Sequence, residues 1–271
     1  MKGMVEMSAI RTQPFGLKRA LFIGINYVNT SYALAGCIND ARNMAVNISR
    51  LFPGCKDQRM ITDNSAIKPT RKNILDGINW LVSGLRKGEH VFFHYSGHGG
   101  LIRDTNGDEA LGLDSCIYPI DGTKIEQITD DEIRVALANR IPAGCKCFVI
   151  IDACHSGSAV DLRCKLQVPS ELSLYFEELK QYPKTNGQVV LLSGCHDLQQ
   201  AMDTINTENV PCGAMTWALL ETWKKYGANI KLKYLLWDML QFLKQRGYTQ
   251  VPQLSLGQYI DFDTTFDLSK A

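Results

Sequence analysis

The stretch Phe148-Val149-Ile150-Ile151-Asp152-Ala153-Cys154-His155-Ser156-Gly157 constrains the fold of this chain more than any other. Its four leading apolar residues read as a strand buried on both faces, as in a parallel sheet. The run then breaks into small and polar residues, with Cys154 where the strand emerges. In open α/β sheets ligands bind in the crevice at the carboxyl ends of the strands. A thiol at that point is held by a rigid element yet open to a substrate. A cysteine alone is ordinarily a small buried hydrophobe. Here a second stretch of the same form, Val91-Phe92-Phe93-His94-Tyr95-Ser96-Gly97-His98-Gly99-Gly100, opens into glycines with His98 in the turn. Laid side by side, the two strands bring Cys154 and His98 to one sheet edge.

Helix and strand patterns alternate along the rest of the chain. Apolar strands are expected over Leu17–Ile25, Asp57–Thr62 and Gln188–Gly194, and at Pro252–Leu256. Helical spacing follows Ala41 through Phe52, Pro69-Thr70 through Val82, and recurs over Gly213–Tyr226 and Lys231–Arg246. Thr129 and Glu132 form a capping box that opens another helix. Residues 99–115 read as a polar, glycine-rich connection, and 155–187 as a long one with a single helix near Glu171–Leu179. The alternation predicts an α/β sandwich around a mostly parallel sheet. We expect an N-terminal arm over residues 1–17 and one domain over 18–271.

At 271 residues and 45% hydrophobic, the chain can bury a substantial core. A net charge of +1 gives no bias toward nucleic acid or acidic membranes, and the longest apolar run is too short to span a bilayer. Nine cysteines, an odd number, with no apolar signal core at the N-terminus, fit reduced thiols and a cytoplasmic location. Cys145-x-Cys147 is the only close pair, and without a C-x-x-C the spacing argues against structural zinc.

A thiolate attacks a carbonyl, and an imidazole can generate it and then protonate the leaving amine. Backbone amides in tight glycine turns can hold the oxyanion, and Gly99 and Cys154 are the candidate donors. His155 adjoins Cys154, but neighbours in a chain seldom point at each other, so His155 reads as a turn residue. The caspase nucleophile follows its histidine by about 50 residues, and His98 precedes Cys154 by 56.

His94-Tyr95-Ser96-Gly97-His98-Gly99 with Asp152-Ala153-Cys154-His155-Ser156-Gly157 closely resembles the metacaspases, caspase-like cysteine peptidases. The resemblance runs from about Lys18 to Leu256 and includes Gly36–Ala41 and Leu192–Cys195; it is nearest the single-module type I enzymes. Asp197–Asp203 departs from the family's substrate-facing loop. The resemblance implies a caspase-like α/β/α sandwich with a His98–Cys154 dyad. It also implies a pocket lined by Asp40, Ser96 and Asp152 for the residue before the cleaved bond. Two carboxylates suit an arginine or lysine side chain, above all a guanidinium held bidentately. Singly, Asp40 also reads as a helix N-terminal charge and Asp152 as a turn cap.

The resemblance further implies a Ca²⁺ site on Asp114, Asp130, Asp131 and Asp161, a donor set that suits a hard cation. Asp104–Asp108 is not an EF-hand: its glycine falls at the wrong position, and Ser115 stands where the bidentate glutamate belongs. Arg163 and Lys165, just past Asp161, are candidate points of self-cleavage in a zymogen. The expected partners are protein substrates with Arg or Lys before the scissile bond, and the expected assembly is a monomer. Two rival readings are a caspase-fold regulatory module with vestigial catalysis and a thiol redox protein pairing Cys154 with Cys37.

Overall fold

The computed structural model describes residues 16–105, 107, 112–122, 127–154, 156, 159–170, 173–194, 203–227, 229–261, 264–265 and 268. Five parallel strands form the core of the sheet: β1 (Gly16–Gly24), β2 (Asp57–Thr62), β3 (Glu89–Ser96), β7 (Lys146–Asp152) and β10 (Gln188–Ser193). They lie in the order β2-β1-β3-β7-β10. The sheet then continues antiparallel through β13 (Gln253–Leu256), β8 (Cys164–Ser170) and β9 (Ser173–Glu178). A small antiparallel sheet, β4 (Gly99–Arg103), β5 (Leu113–Ile117) and β6 (Ile128–Thr129), stands beyond the carboxyl end of β3, and β11 (Asp203–Ile205) pairs with β12 (Pro211–Gly213).

Every residue of β3 is buried, because helices cover both faces of the sheet. On one face, Phe22, Phe92, Phe148, Ile150 and Leu192 pack with the apolar sides of α1 (Cys37–Leu51), α4 (Ala214–Tyr226) and α5 (Leu232–Gln245). On the other, Leu21, Phe93, Val149 and Leu191 pack with α2 (Arg71–Val82) and α3 (Asp130–Ala136). The three-layer α/β/α sandwich expected from the alternation is therefore observed. Thr70 caps α2 by accepting from the Asn73 amide, and both halves of the Thr129–Glu132 capping box form on α3. Among the described residues no helix is long and apolar enough to cross a membrane.

Two expectations are corrected. Residues 173–178 form strand β9 rather than a helix. Leu172, Phe176 and Leu179 have helical spacing in the sequence, but Leu174 and Phe176 equally have strand spacing. Pairing to β8 in an antiparallel hairpin decides between them by giving the backbone its hydrogen bonds. Residues 99–103 and 113–115 are strand rather than open connection, and Asp104 accepts from the Gly107 amide at 2.7 Å.

His94 is the polar exception within β3. Register sets it between Phe22 and Ile150, fully buried, and neither ring nitrogen has a hydrogen-bond partner among the described residues. Burial pulls its pKa from 6.5 down to about 3. Between those values the unfolded chain binds a proton that the folded chain refuses, so stability is lost as pH falls from 6.5 toward 3. The slope is at most about 1.4 kcal/mol per pH unit. Denaturant melts at pH 7 and pH 5 are expected to show the wild type losing about 2 kcal/mol more than His94→Leu. Equal losses would contradict this assignment.

Candidate active site

Strands β3 and β7 run parallel and in register, with Ser96 opposite Asp152 as the last pair. His98 and Cys154 each lie two residues beyond that pair, so both turns leave the sheet at one edge. The turns touch: a Cβ on Gly99 would overlap the Cys154 carbonyl oxygen and approach the Ala153 Cβ to 3.0 Å. Gly99 therefore stands where only a glycine lets the two turns close. Among the eight described cysteines, Cys154 alone is not buried. Burial pushes the thiol of Cys55 up to about 12 and that of Cys116 up to about 11, which keeps both protonated. Cys154 and His98 are both partly exposed.

The Nε2 of His98 is 2.7 Å from the carbonyl oxygen of Tyr32. A carbonyl only accepts, so Nε2 carries the hydrogen and Nδ1 is left to take or give a proton. The Tyr27 ring packs against the imidazole, centroid to centroid 4.7 Å.

Asp40, Ser96 and Asp152 are brought together on the α4 side of the same edge. Asp40 lies in the first turn of α1, and Asp152 ends β7; both are buried. Ser96 Oγ donates to Asp40 Oδ2 at 2.8 Å. The Gly213 amide donates to Asp40 at 2.9 and 3.0 Å, and the Thr216 amide donates to Asp152 Oδ2 at 2.8 Å. Both carboxylates thus draw on the N-terminus of α4, whose unpaired amides favour negative charge. They also converge on Gly213, where a Cβ would overlap Asp152 Oδ2 and come within 3.0 Å of Asp40 Oδ2. The Gly213 and Thr216 amides escaped the sequence reading because a backbone donor carries no residue signature.

The model of the metacaspase, peptidase C14 domain matches residues 18–163. The chain belongs to the metacaspase family. It is 32% identical to Metacaspase-1 of Meyerozyma guilliermondii over 97% of this chain and 75% of that protein. It is 34% identical to Metacaspase-1 of Schizosaccharomyces pombe, over 92% and 69% of the two chains. To Metacaspase-2 of Trypanosoma brucei brucei it is 33% identical, over 93% and 76%. A crystal structure of a Geobacter sulfurreducens protein shares the fold, with a TM-score of 0.65 at 23% identity over 91% of this chain and 97% of that one. Membership makes the chain a cysteine endopeptidase acting on protein substrates, which sets aside the reading as a regulatory module.

The other metacaspase candidates are less closely gathered. Asp114, Asp130 and Asp161 are buried and Asp131 is half-buried. Asp130 accepts from the Ser115 amide at 2.7 Å and the Asp131 amide at 3.0 Å. Asp130 and Asp114 flank the Cys116 thiol, adding to the burial that raises it. Arg134 Nη1 donates to the Asp161 carbonyl, joining α3 to the segment after Cys154. The donor chemistry fits a hard cation, but among the described residues no three His, Cys, Asp or Glu side chains sit at metal-holding spacing.

Of Arg163 and Lys165, both expected in an open loop, Lys165 lies instead in β8 and Arg163 immediately precedes that strand. Arg163 pairs with Glu178 at 3.0 Å, and Lys165 is flanked by Ser255 and Glu177. The eight described cysteines form no disulfide, and Cys37 is buried in α1. His155 and residues 195–202 lie outside the described residues.

If contact at Gly99 sets the dyad, Gly99→Ala must shift the Cys154 peptide. It is expected to lower kcat/KM by about 10²-fold, the scale of an ångström misplacement, read on a fluorogenic peptide with active sites counted by titration. Activity within twofold of wild type would contradict the contact.

Proposed function

We propose that this metacaspase cleaves peptide bonds after Arg or Lys through a His98–Cys154 dyad and depends on calcium. The observation that carries the specificity is the convergence of the buried Asp40 and Asp152 carboxylates on Gly213. Two like charges in a buried site are costly without a countercharge. A guanidinium or ammonium supplies it, and the planar guanidinium also matches carboxylates bidentately. Ser96, which donates to Asp40, helps fix the orientation of that carboxylate.

In the proposed reaction Nδ1 of His98 takes the Cys154 thiol proton, and the thiolate sulfur bonds to the scissile carbonyl carbon. The amides of Gly99 and Cys154 hold the resulting oxyanion. His98 returns the proton to the leaving amine as the C–N bond breaks, leaving a thioester. Water, deprotonated by His98, then attacks the thioester and releases the acid and the thiol.

Asp114, Asp130, Asp131 and Asp161 are the proposed calcium ligands. Calcium would supply the positive charge that lets these acids draw together, binding α3 to the segment after Cys154. Arg134 already links those two elements through the Asp161 carbonyl. Self-cleavage after Lys165 would require β8 to leave β13 and β9, and cleavage after Arg163 would free the start of that strand, so either is expected to be slower than cleavage of a free peptide. Mass spectrometry of wild type against Cys154→Ala, incubated with calcium, tests it. Fragments that persist in the mutant would contradict self-cleavage. A monomer is the proposed assembly, to be checked by light scattering.

Peptides with Arg, Lys or Asp at the cleavage position are expected to be turned over, turned over and refused, respectively. Asp152→Asn is expected to lower kcat/KM for the Arg peptide by about 10²-fold, the scale of removing one partner of a buried charge pair. Chelator is expected to abolish turnover and added calcium to restore it. Cleavage after Asp, or full activity in chelator, would contradict the respective half of the proposal.

A further inference from the structure

Beneath His98 lies a polar cluster in which the peptidase mechanism has no direct part. Tyr27 and Tyr95 are buried, with their hydroxyls 3.1 Å apart. The Tyr27 hydroxyl accepts from the His98 amide at 3.0 Å and donates to the Tyr118 carbonyl at 2.6 Å. The Tyr95 hydroxyl donates to the His98 carbonyl at 2.8 Å, and the Tyr118 amide reaches the same carbonyl at 3.1 Å. The His98 peptide is therefore held at both its N–H and its C=O by two phenols. Gly97 makes room for them: a Cβ there would come within 2.6 Å of the Tyr95 hydroxyl and 3.0 Å of the Tyr27 hydroxyl.

The Tyr27 turn also governs the His98 ring. Thr30 donates through its amide and its hydroxyl to the Tyr27 carbonyl, and the Tyr32 amide donates to Thr30 Oγ1 at 3.2 Å. That short chain of bonds fixes the Tyr32 carbonyl, the partner of His98 Nε2, relative to the Tyr27 hydroxyl. Tyr27 has φ +49°, uncommon for a bulky residue. Asp63 holds the turn from outside, accepting from the Asn26 amide at 2.9 Å and the Val28 amide at 3.1 Å. Burial keeps both phenols protonated, so the hydroxyl hydrogens are present throughout the neutral range. Phenylalanine would fill the same volume but make none of these bonds.

We propose that Tyr27 and Tyr95 are positioning residues for the peptidase reaction, aiming the His98 imidazole at Cys154 by gripping its peptide on both sides. The inference rests on the dyad reading above and adds to it the element that sets the aim of the imidazole.

The test follows alkylation of the Cys154-containing peptide by iodoacetamide against pH, by mass spectrometry, on the full chain with calcium. The variants are Tyr27→Phe, Tyr95→Phe, His98→Ala and Tyr27→Phe/His98→Ala, each with its melting curve. In both tyrosine variants the acid limb of the profile is expected to move by about one pH unit toward that of His98→Ala. Their kcat is expected to fall at least about tenfold, with KM within about twofold. Tyr27→Phe is expected to add nothing in the His98→Ala background, the non-additivity of residues acting through one another.

Folded tyrosine variants with the wild-type profile and kcat would overturn the proposal. So would an equal effect in both backgrounds, or failure of both variants to fold, since the pair would then be structural alone. A His98→Ala profile identical to wild type would instead remove the dyad reading, and this inference with it.

Discussion

The site depends on the in-register parallel pairing of β3 with β7. Side chains alternate along strands with a period of two, so a slip of one residue would turn Ser96 and Asp152 to opposite faces. In the observed register those two residues are paired on the α4 side, and the chains leave the sheet together at His98 and Cys154. The burial of β3 and β7 between two helical layers makes that register costly to change. The placement of His98 and Cys154 is thus inherited from the packing of the buried residues Phe92, Phe93, Phe148 and Val149.

The same edge sorts charge. The N-terminus of α4 meets Asp40 and Asp152 with backbone donors, which lets two carboxylates remain buried close together. Around His98 the described contacts are neutral: two phenols, a backbone carbonyl and an aromatic ring. The contacts to the His98 imidazole and peptide are therefore dipolar, while the two carboxylates carry full charge.

Much of this was legible in the sequence. The apolar runs Val91–Phe93 and Phe148–Ile151, each leading into a turn of small residues, identified β3 and β7, because burial on both faces leaves few polar positions. Thr70, Thr129 and Glu132 announced two helix starts through their capping chemistry. The β8–β9 hairpin was not legible, since Leu172, Phe176 and Leu179 fit a helix and only the neighbouring strand decides otherwise. Within the site, the side chains were readable and the backbone partners were not. The Gly213 and Thr216 amides, the Tyr32 carbonyl and the peptide of His98 can be supplied by any residue. Tyr27 lies 71 residues from His98, a separation no local pattern bridges.

The most direct measurement is a crystal structure of the chain after reaction with a peptidyl-arginine chloromethyl ketone. The account predicts a thioether at Cys154 Sγ and His98 Nδ1 within hydrogen-bond reach of the reacted centre. It also predicts the arginine guanidinium seated between Asp40 and Asp152, beside Gly213. Alkylation at a different cysteine, or a guanidinium lying in solvent with the two carboxylates untouched, would contradict it.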